Sequence, residues 1–283
     1  MTRICNEARP GIKRYVLVPI TVAVAIVFAL PLVWMLMGSL RDPSEIMPSL
    51  SPLSWRSIVP HRITIDAYAG LWSSGFVRAV LNSLVVAGGT VAAGLVICSL
   101  AGFALSAVDF PGRNVVFGLV VLSFMVPFDA VAIPLFRVLR AVGLNNTFSA
   151  LIAPGIGNGL AIFLLRQFFL AVPRQLVEAA RMDGASLFRI FISIYVPLSK
   201  PALISAGIIL FMFQWQAYLW PLIIVSDPSM RVGPVALAQF SNQFDFDLSQ
   251  LFAGAVVLSA IPAAVLWRFQ RYFVGSLSTA GIK

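Results

Sequence analysis

Charged residues are scarce in this chain of 283 residues. Asp, Glu, Lys and Arg together make up 11% of the sequence, against 59% hydrophobic residues and a mean hydropathy of +0.93. Because soluble domains average about 25% charged residues, an ordinary globular protein is excluded. The net charge is +9, but the basic residues do not cluster with stacking aromatics in a polar module, which excludes a nucleic-acid-binding domain. Basic cytoplasmic loops of a membrane protein explain the positive charge.

Histidine and cysteine are equally scarce, with one histidine, His61, and two cysteines, Cys5 and Cys98. No C-x-x-C spacing occurs, which excludes redox chemistry and a cysteine-based metal site. No nucleophile stands with a base, so we predict that the chain is not an enzyme and binds no cofactor. It also lacks a G-x-x-x-x-G-K-[ST] sequence, so it cannot hold nucleotide phosphates in a P-loop.

Long apolar runs dominate the sequence instead. About 20 apolar residues at 1.5 Å per residue cross a hydrocarbon core of about 30 Å. Six runs qualify: 15–38, 79–105, 115–136, 148–165, 201–225 and 251–267. The fourth is short and is interrupted by Pro154, Gly155, Gly157 and Gly159, which is tolerated where neighbours or a cavity satisfy the freed backbone groups. We predict an all-α polytopic membrane protein with six transmembrane helices, forming one domain over 15–283.

The distribution of basic residues predicts the orientation. The N-terminal segment 1–14 is basic and precedes an apolar run that is too long for a signal peptide and has no clear cleavage site, so we interpret that run as an uncleaved first helix. With both termini on one side, thirteen of the 20 Lys and Arg residues fall on that side and seven on the other. The bias places the termini in the cytoplasm. Segment 39–78 is then an extracytoplasmic loop, and 166–200 a cytoplasmic one.

The cytoplasmic loop 166–200 contains a polar, helix-forming segment over 174–183. Pro173 precedes this segment, and Gly184 follows it at the position of a C-terminal cap. Ala180 and Gly184 are four residues apart and leave one helix face without bulk, which predicts a surface that a groove can grip closely. A second short helix is expected over 186–194.

The spacing of this loop carries a family resemblance. Glu178-Ala179-Ala180 is followed by Gly184 after three residues, by Ile194 after nine more, and then by Val196-Pro197. This pattern resembles the EAA motif of the transmembrane subunits of ATP-binding cassette importers, with Val196 where leucine is usual. Flanking segments resemble the carbohydrate-uptake branch, of the maltose-permease second-subunit type. They are 163–168, 183–186, Trp215 with 218–221, and 270–273.

The resemblance implies how such a chain works. The EAA helix would be a coupling helix docked in a cleft of a separate ATPase subunit, which binds ATP and Mg. The residues carried over to that role are Glu178, Ala179, Ala180, Asp183, Gly184, Ala185 and Pro197. The resemblance also implies a second permease subunit, expected to be a different chain, and an extracytoplasmic solute-binding protein. The location it implies is the plasma membrane of a prokaryote.

Polar residues inside the fifth run are candidates for the substrate path. Gln214, Trp215 and Gln216 lie about halfway along it, and Tyr218 follows on roughly the face of Gln214. Uncharged amide and aromatic groups suit a polyhydroxylated solute. The alternative is that they hydrogen-bond neighbouring helices, which is the role we expect for Asn82 and Asn158.

Charge inside the runs is almost missing, since Asp129 stands alone near the outer end of the third run. We expect an interfacial helix cap or an ion pair with Arg137. A secondary transporter or channel without an ATPase remains the alternative, but it would need a charged relay or an inverted repeat, and neither is found. The solute stays open among oligosaccharide, monosaccharide, amino sugar and glycerol-phosphate ester; a phosphate ester would call for Arg or Lys in the cavity.

Overall fold

A computed structural model describes residues 10–49, 59–60, 62–242 and 245–280. Cys5 and His61 lie outside the described residues. The chain divides into two compact units, one of Met1–Ser74 with Phe240–Val257 and one of Gly75–Gln239 with Leu258–Lys283.

The first unit is built around the helix that follows the N-terminal segment. Its elements are α1 (Pro10–Ser39), α2 (Pro43–Ser49), α3 (Asp66–Ser73), the antiparallel pair β1 (Ser241–Asn242) and β2 (Asp245–Phe246), and the start of α15 (Leu248–Ala280). The ring of Phe252 packs edge-on against Trp34 at 5.0 Å between centroids. The Ser249 hydroxyl donates to the carbonyl of Arg41 at 3.1 Å. These contacts hold the first turns of α15 against the end of α1.

The second unit contains the remaining helices. They are α4 (Phe76–Ala107), α5 (Arg113–Met125), α6 (Phe128–Ala141), α7 (Phe148–Ile152) with a 3₁₀ turn (Ala153–Gly155), α8 (Gly159–Leu170), α9 (Arg174–Met182), α10 (Leu187–Ile190) with a π-helical turn (Phe191–Tyr195), α11 (Val196–Leu198), α12 (Lys200–Trp215), α13 (Leu219–Ile224), a 3₁₀ turn (Pro228–Met230) and α14 (Gly233–Ala238). The central helix α4 packs on α8 and α12. At Gly102 a Cβ atom would lie 3.2 Å from the backbone nitrogen of Arg166, so glycine allows the closest approach of α4 to α8.

Three described helices are long and apolar enough to cross a membrane. They contain Leu17–Ser39, Phe76–Ala107 and Leu248–Gln270. Three further pairs pass the same test only when each bent pair counts as one span: Arg113–Met125 with Phe128–Ala141, Phe148–Gly155 with Gly159–Leu170, and Leu187–Leu198 with Lys200–Trp215. Apart from the two-residue strands β1 and β2, the helical, polytopic membrane fold is confirmed, and the count of six crossings stays a prediction.

The third run is not one straight helix, because α5 and α6 meet at 98°. Pro127 disfavours the helical conformation of the residue before it, and Val126 accordingly has φ −76° and ψ 119°. The fourth run bends by 46° at its glycines, as its sequence predicts.

The fifth run also differs from a continuous crossing. Helix α12 ends at Trp215, and its 16 residues span about 24 Å, less than the hydrocarbon core of about 30 Å. Residues 216–218 separate it from α13. In a continuous helix the ring of Pro221 would clash with the carbonyl of Ala217 and leave it without a donor, which explains the break.

Candidate coupling connector and solute cavity

The helix α9 ends in the turn that its sequence predicts. Gly184 has φ +75°, a left-handed conformation that costs other residues free energy. Its amide donates to Arg181 O at 3.0 Å, and the amide of Ala185 donates to Ala180 O at 2.9 Å. These two bonds form a Schellman motif, which satisfies the last carbonyls of α9 and reverses the chain towards α10.

The EAA triplet presents two of its members outward and one inward. Glu178 and Ala179 are exposed, as are Asp183 and Gly184. Ala180 packs partly buried against the core of the second unit. The expected strip of small residues is therefore not continuous on the surface, because Ala180 contacts this chain's own core.

We call the segment 166–200 the connector. It carries exposed apolar side chains that the sequence pattern did not single out. Four large hydrophobic side chains are exposed between the start of α9 and the end of α10: Leu176, Met182, Leu187 and Phe188. We call them the connector patch. The Met182 side chain is 88% exposed, and several exposed apolar side chains on one short polar segment favour an interaction surface. These residues could have been found from the sequence, since they are apolar and lie in or next to the polar segment 174–183.

The chain returns to the membrane helices through a π-helical turn. Pro197 has no N–H to donate to Ser193 O and its ring clashes with that carbonyl in an α-helix. The amide of Val196 instead donates to Phe191 O, five residues earlier. This extra residue in the turn sets the direction of the side chains at Phe191 and Tyr195.

Those two side chains join the connector to the transmembrane helices. Phe103 of α4 contacts Phe191 and Tyr195 at 5.1 and 4.9 Å between ring centroids. Phe169 of α8 contacts Tyr195 edge-on at 5.5 Å. Each such pair contributes about 0.5–1.5 kcal/mol beyond its area burial. The connector is thereby fixed to α4 and α8.

A cavity of about 660 Å³ lies where the interrupted helices meet. Its lining includes Pro127 from the α5–α6 break, Gly157 from the α7–α8 break and Ala217 from the α12–α13 break. Aromatic side chains form part of its wall, and Phe128 packs edge-on against Trp220 at 5.7 Å. Ligand sites in proteins typically occupy about 300–1,000 Å³.

The predicted path residues separate into two groups. Gln214 and Tyr218 line the cavity. The amide of Gln214 also contacts Thr90 Oγ1 at 3.4 Å and Leu151 O at 3.5 Å, so both roles considered for it are compatible with its position. Trp215 is buried, and its indole N–H donates to Leu258 O at 3.1 Å. Gln216 is exposed and lies outside the lining, as does Trp215.

The side chains of Asn82 and Asn158 both form hydrogen bonds within the protein. The Asn82 amide donates to Ser229 O and Arg231 O at 2.9 and 2.8 Å, the structural role that we expected. The Asn158 side chain caps α8 by accepting from Ala161 N at 3.0 Å, and it also lines the cavity.

Asp129 lines the cavity too, in the first turn of α6. Among the described residues it forms neither an ion pair with Arg137 nor a side-chain capping bond. The expected ion pair is therefore wrong, whereas its place in the first turn of α6 lets the carboxylate interact favourably with the helix N-terminus. The break at Pro127 turns α6 so that its first turn meets the cavity.

A polar clamp ties together the loops beyond α6 and α13. The Asn146 carbonyl Oδ1 accepts from the amides of Ser226 and Asp227 at 2.7 and 3.0 Å. Hydrogen bonds from the Ser229 amide and, second, from its hydroxyl hold the pKa of Asp227 below its ordinary value. The clamp fixes the two helices whose first residues contribute to the cavity wall.

Comparisons with known proteins agree with this geometry. Residues 94–278 match the family described as binding-protein-dependent transport system inner membrane component. The chain is 33% identical to the arabinooligosaccharides transport system permease protein AraQ of Halalkalibacterium halodurans, covering 92% of this chain and 93% of that protein. It is 32% identical to the trehalose transport system permease protein SugB of Mycobacterium tuberculosis, covering 90% and 92%.

A solved structure shares the fold. It is the crystal structure of a bacterial ABC transporter that imports the acidic polysaccharide alginate, matched with a TM-score of 0.75 at 22% identity over 92% of this chain and 97% of the matched chain. With the connector, the interrupted helices and the matched family together, the chain belongs to the binding-protein-dependent inner membrane components and is a permease subunit of an ABC importer.

Proposed function

We propose that this permease subunit forms half of a translocation path for a carbohydrate or a related polyol-like solute. The relatives named above transport arabinooligosaccharides and trehalose. The cavity supports the same class, since it combines aromatic walls with the uncharged polar groups of Gln214, Asn158 and Tyr218. Hydroxyl-rich solutes hydrogen-bond to such groups and stack their apolar faces on aromatic rings.

The connector over 166–200 couples this path to a separate ATPase subunit, which binds ATP and Mg. The observation that carries this proposal is the connector patch beside exposed Glu178 and Ala179, on a segment fixed to the core by aromatic contacts. The coupling residues are Glu178, Ala179, Ala180, Asp183, Gly184, Ala185 and Pro197. A rigid arm of this kind transmits a displacement of its tip to the helices on which it is mounted.

The assembly and topology follow from the same reasoning. A second permease subunit, a different chain, supplies the other half of the path, and an extracytoplasmic binding protein delivers the solute. Each bent pair forms one crossing, which gives six in the plasma membrane of a prokaryote. Both termini and the connector then face the cytoplasm, and loop 39–78 faces outward.

The experiment combines one substitution with a matched control. We expect Glu178→Lys to abolish copurification of the ATPase and ATP-dependent uptake of the solute. Glu45→Lys makes the same change in α2, and we expect it to retain the ATPase. If Glu178→Lys keeps both the bound ATPase and uptake, the coupling role is wrong. Uptake by the lone chain in liposomes without ATP would support a secondary transporter or channel instead.

A further inference from the structure

We propose that Asp129 is a specificity-determining residue of the cavity, which admits uncharged polyhydroxylated solutes and rejects anionic ones such as phosphate esters and uronic acids. The inference deepens the proposed function and rests on it. Among the residues that the structure describes, Asp129 is the only charged one in the lining of this cavity of about 660 Å³.

No described side chain forms an ion pair with Asp129, and its position in the first turn of α6 lets the helix N-terminus offset only part of its charge. Arg137 and Arg140 lie on the same helix, about two and three turns further on, and neither lines the cavity. The Arg140 guanidinium lies instead over the ring of Phe136, 5.9 Å from its centroid. The described ion pair is Arg113 with Asp109, in the turn between α4 and α5.

The surroundings strengthen the effect of this carboxylate. Phe128, Phe213 and Trp220 give the cavity low-dielectric walls, and such walls focus the field of a charge into the cleft. Repulsion between like charges disfavours the binding of an anionic solute beside this carboxylate. A sugar hydroxyl, in contrast, donates a charge-assisted hydrogen bond to a carboxylate oxygen. The same residue therefore disfavours anions and binds hydroxyl groups.

The uncharged groups around Asp129 provide this chain's part of a site for a neutral solute. Within the described residues, the Tyr218 hydroxyl and the Asp129 carboxylate have no hydrogen-bond partner, and both line the cavity. A site for phosphate or uronate calls for Arg or Lys, which provide charge-assisted bonds to these groups. The part of the lining that the structure describes has neither.

The test measures the cavity's charge directly. The importer, assembled with its ATPase and second permease subunit, is placed in proteoliposomes with Ser123→Cys as the reporter. Ser123 lines the cavity, and the native Cys98 is buried; Cys5→Ser and cysteine-free partners remove other reactive thiols. Labelling rates are measured with a cationic, an anionic and an uncharged methanethiosulfonate, each normalised to its rate with a free thiol.

We expect the cationic reagent to react at least about sevenfold faster than the anionic one, as a potential of one or more kT requires. Asp129→Asn should bring this ratio to about one. Asp109→Asn removes the same charge outside the cavity and should leave the ratio unchanged. Millimolar sn-glycerol 3-phosphate should not slow labelling by the uncharged reagent.

Two results would overturn the inference: a ratio that Asp129→Asn does not change more than Asp109→Asn does, or protection of the reporter by sn-glycerol 3-phosphate. Failure of the proposed function is seen separately in the same vesicles. In that case, trapping the ATPase with nucleotide and vanadate would not change the side of the membrane from which the reporter is labelled.

Discussion

At Gly184 the EAA motif requires a backbone conformation rather than an absence of bulk. Nothing lies within 4 Å of the position that its Cβ would occupy, so the described part of the chain leaves room for a side chain. Its φ of +75° is the constraint, because it closes the Schellman turn that sends the chain from α9 to α10.

Substitutions at Gly184 can separate conformation from size. Alanine is small but strained by about 1–2 kcal/mol in the left-handed region, whereas asparagine is larger and adopts it more readily. We therefore expect Gly184→Ala to lower solute-stimulated ATP hydrolysis more than Gly184→Asn does. The reverse order, measured on complexes of equal ATPase content, would show that close packing against the partner is the requirement instead.

Trp215 and Tyr218 should respond differently to loss of one polar group. Trp215→Phe leaves the carbonyl of Leu258 without its donor, and we expect a loss of stability of about 1–3 kcal/mol. Tyr218→Phe removes a hydroxyl that lines the cavity, so we expect a higher KM for uptake and an unchanged unfolding temperature in detergent. A changed KM with unchanged stability for Trp215→Phe would place that residue in the path.

At the level of elements, the connector is an arm mounted on α4 and α8. Its π-helical turn exists because of Pro197, and the turn directs Phe191 and Tyr195 at Phe103 and Phe169. Regularising the turn would rotate these rings away from their partners, since each residue of an α-helix adds about 100°.

We therefore expect Pro197→Ala to uncouple ATP hydrolysis from transport while leaving the ATPase bound. Residues along such mechanical connections change coupling by about 0.5–2 kcal/mol, or roughly 2- to 30-fold. The measurement is the ratio of solute transported to ATP hydrolysed, and Pro201→Ala at the start of α12 is the control. A ratio that falls equally in both variants would mean that the π-helical turn has no special role.

Glycine and proline residues in the sequence predicted the helix ends and breaks that depend on residues close by in the chain. The end of α9 follows from Gly184, and the break in the fourth run follows from its glycines and Pro154. Pro127 is itself a sequence signal for a helix break. Because the residues around it are apolar, the hydropathy pattern shows one continuous run there. The end of α12 depends on Pro221, which acts on a carbonyl four residues earlier.

Long-range packing determined what the sequence could not predict. Gln214 and Tyr218 meet Asp129 only because three interrupted helices converge on one cavity. Trp215 lies beside Gln214 in the sequence, yet it packs against Leu258. Ala180 belongs to the motif but packs inward, and neither fact is visible in residue spacing.

For the molecule as a whole, the proposed coupling role requires the connector to lie on the cytoplasmic side of the membrane. Basic residues favour the cytoplasmic side, which predicts that the connector lies inside and the turn at Pro228–Met230 outside. Met182→Cys and Ser229→Cys test this with membrane-impermeant thiol reagents in intact cells, in a Cys5→Ser background. We expect labelling of the Ser229 variant only from outside and of the Met182 variant only after the membrane is opened. The opposite pattern would invert the topology.

The proposed mechanism requires that a separate ATPase subunit binds the exposed face of α9. The most direct measurement is cross-linking from Ala179→Cys to cysteines in the cleft of the copurified ATPase, with Ser229→Cys as the control position. We predict a cross-link that forms at Ala179→Cys, changes in yield when nucleotide is bound, and is missing at the control. No cross-link to a nucleotide-hydrolysing subunit, in a complex that still transports, would contradict the account.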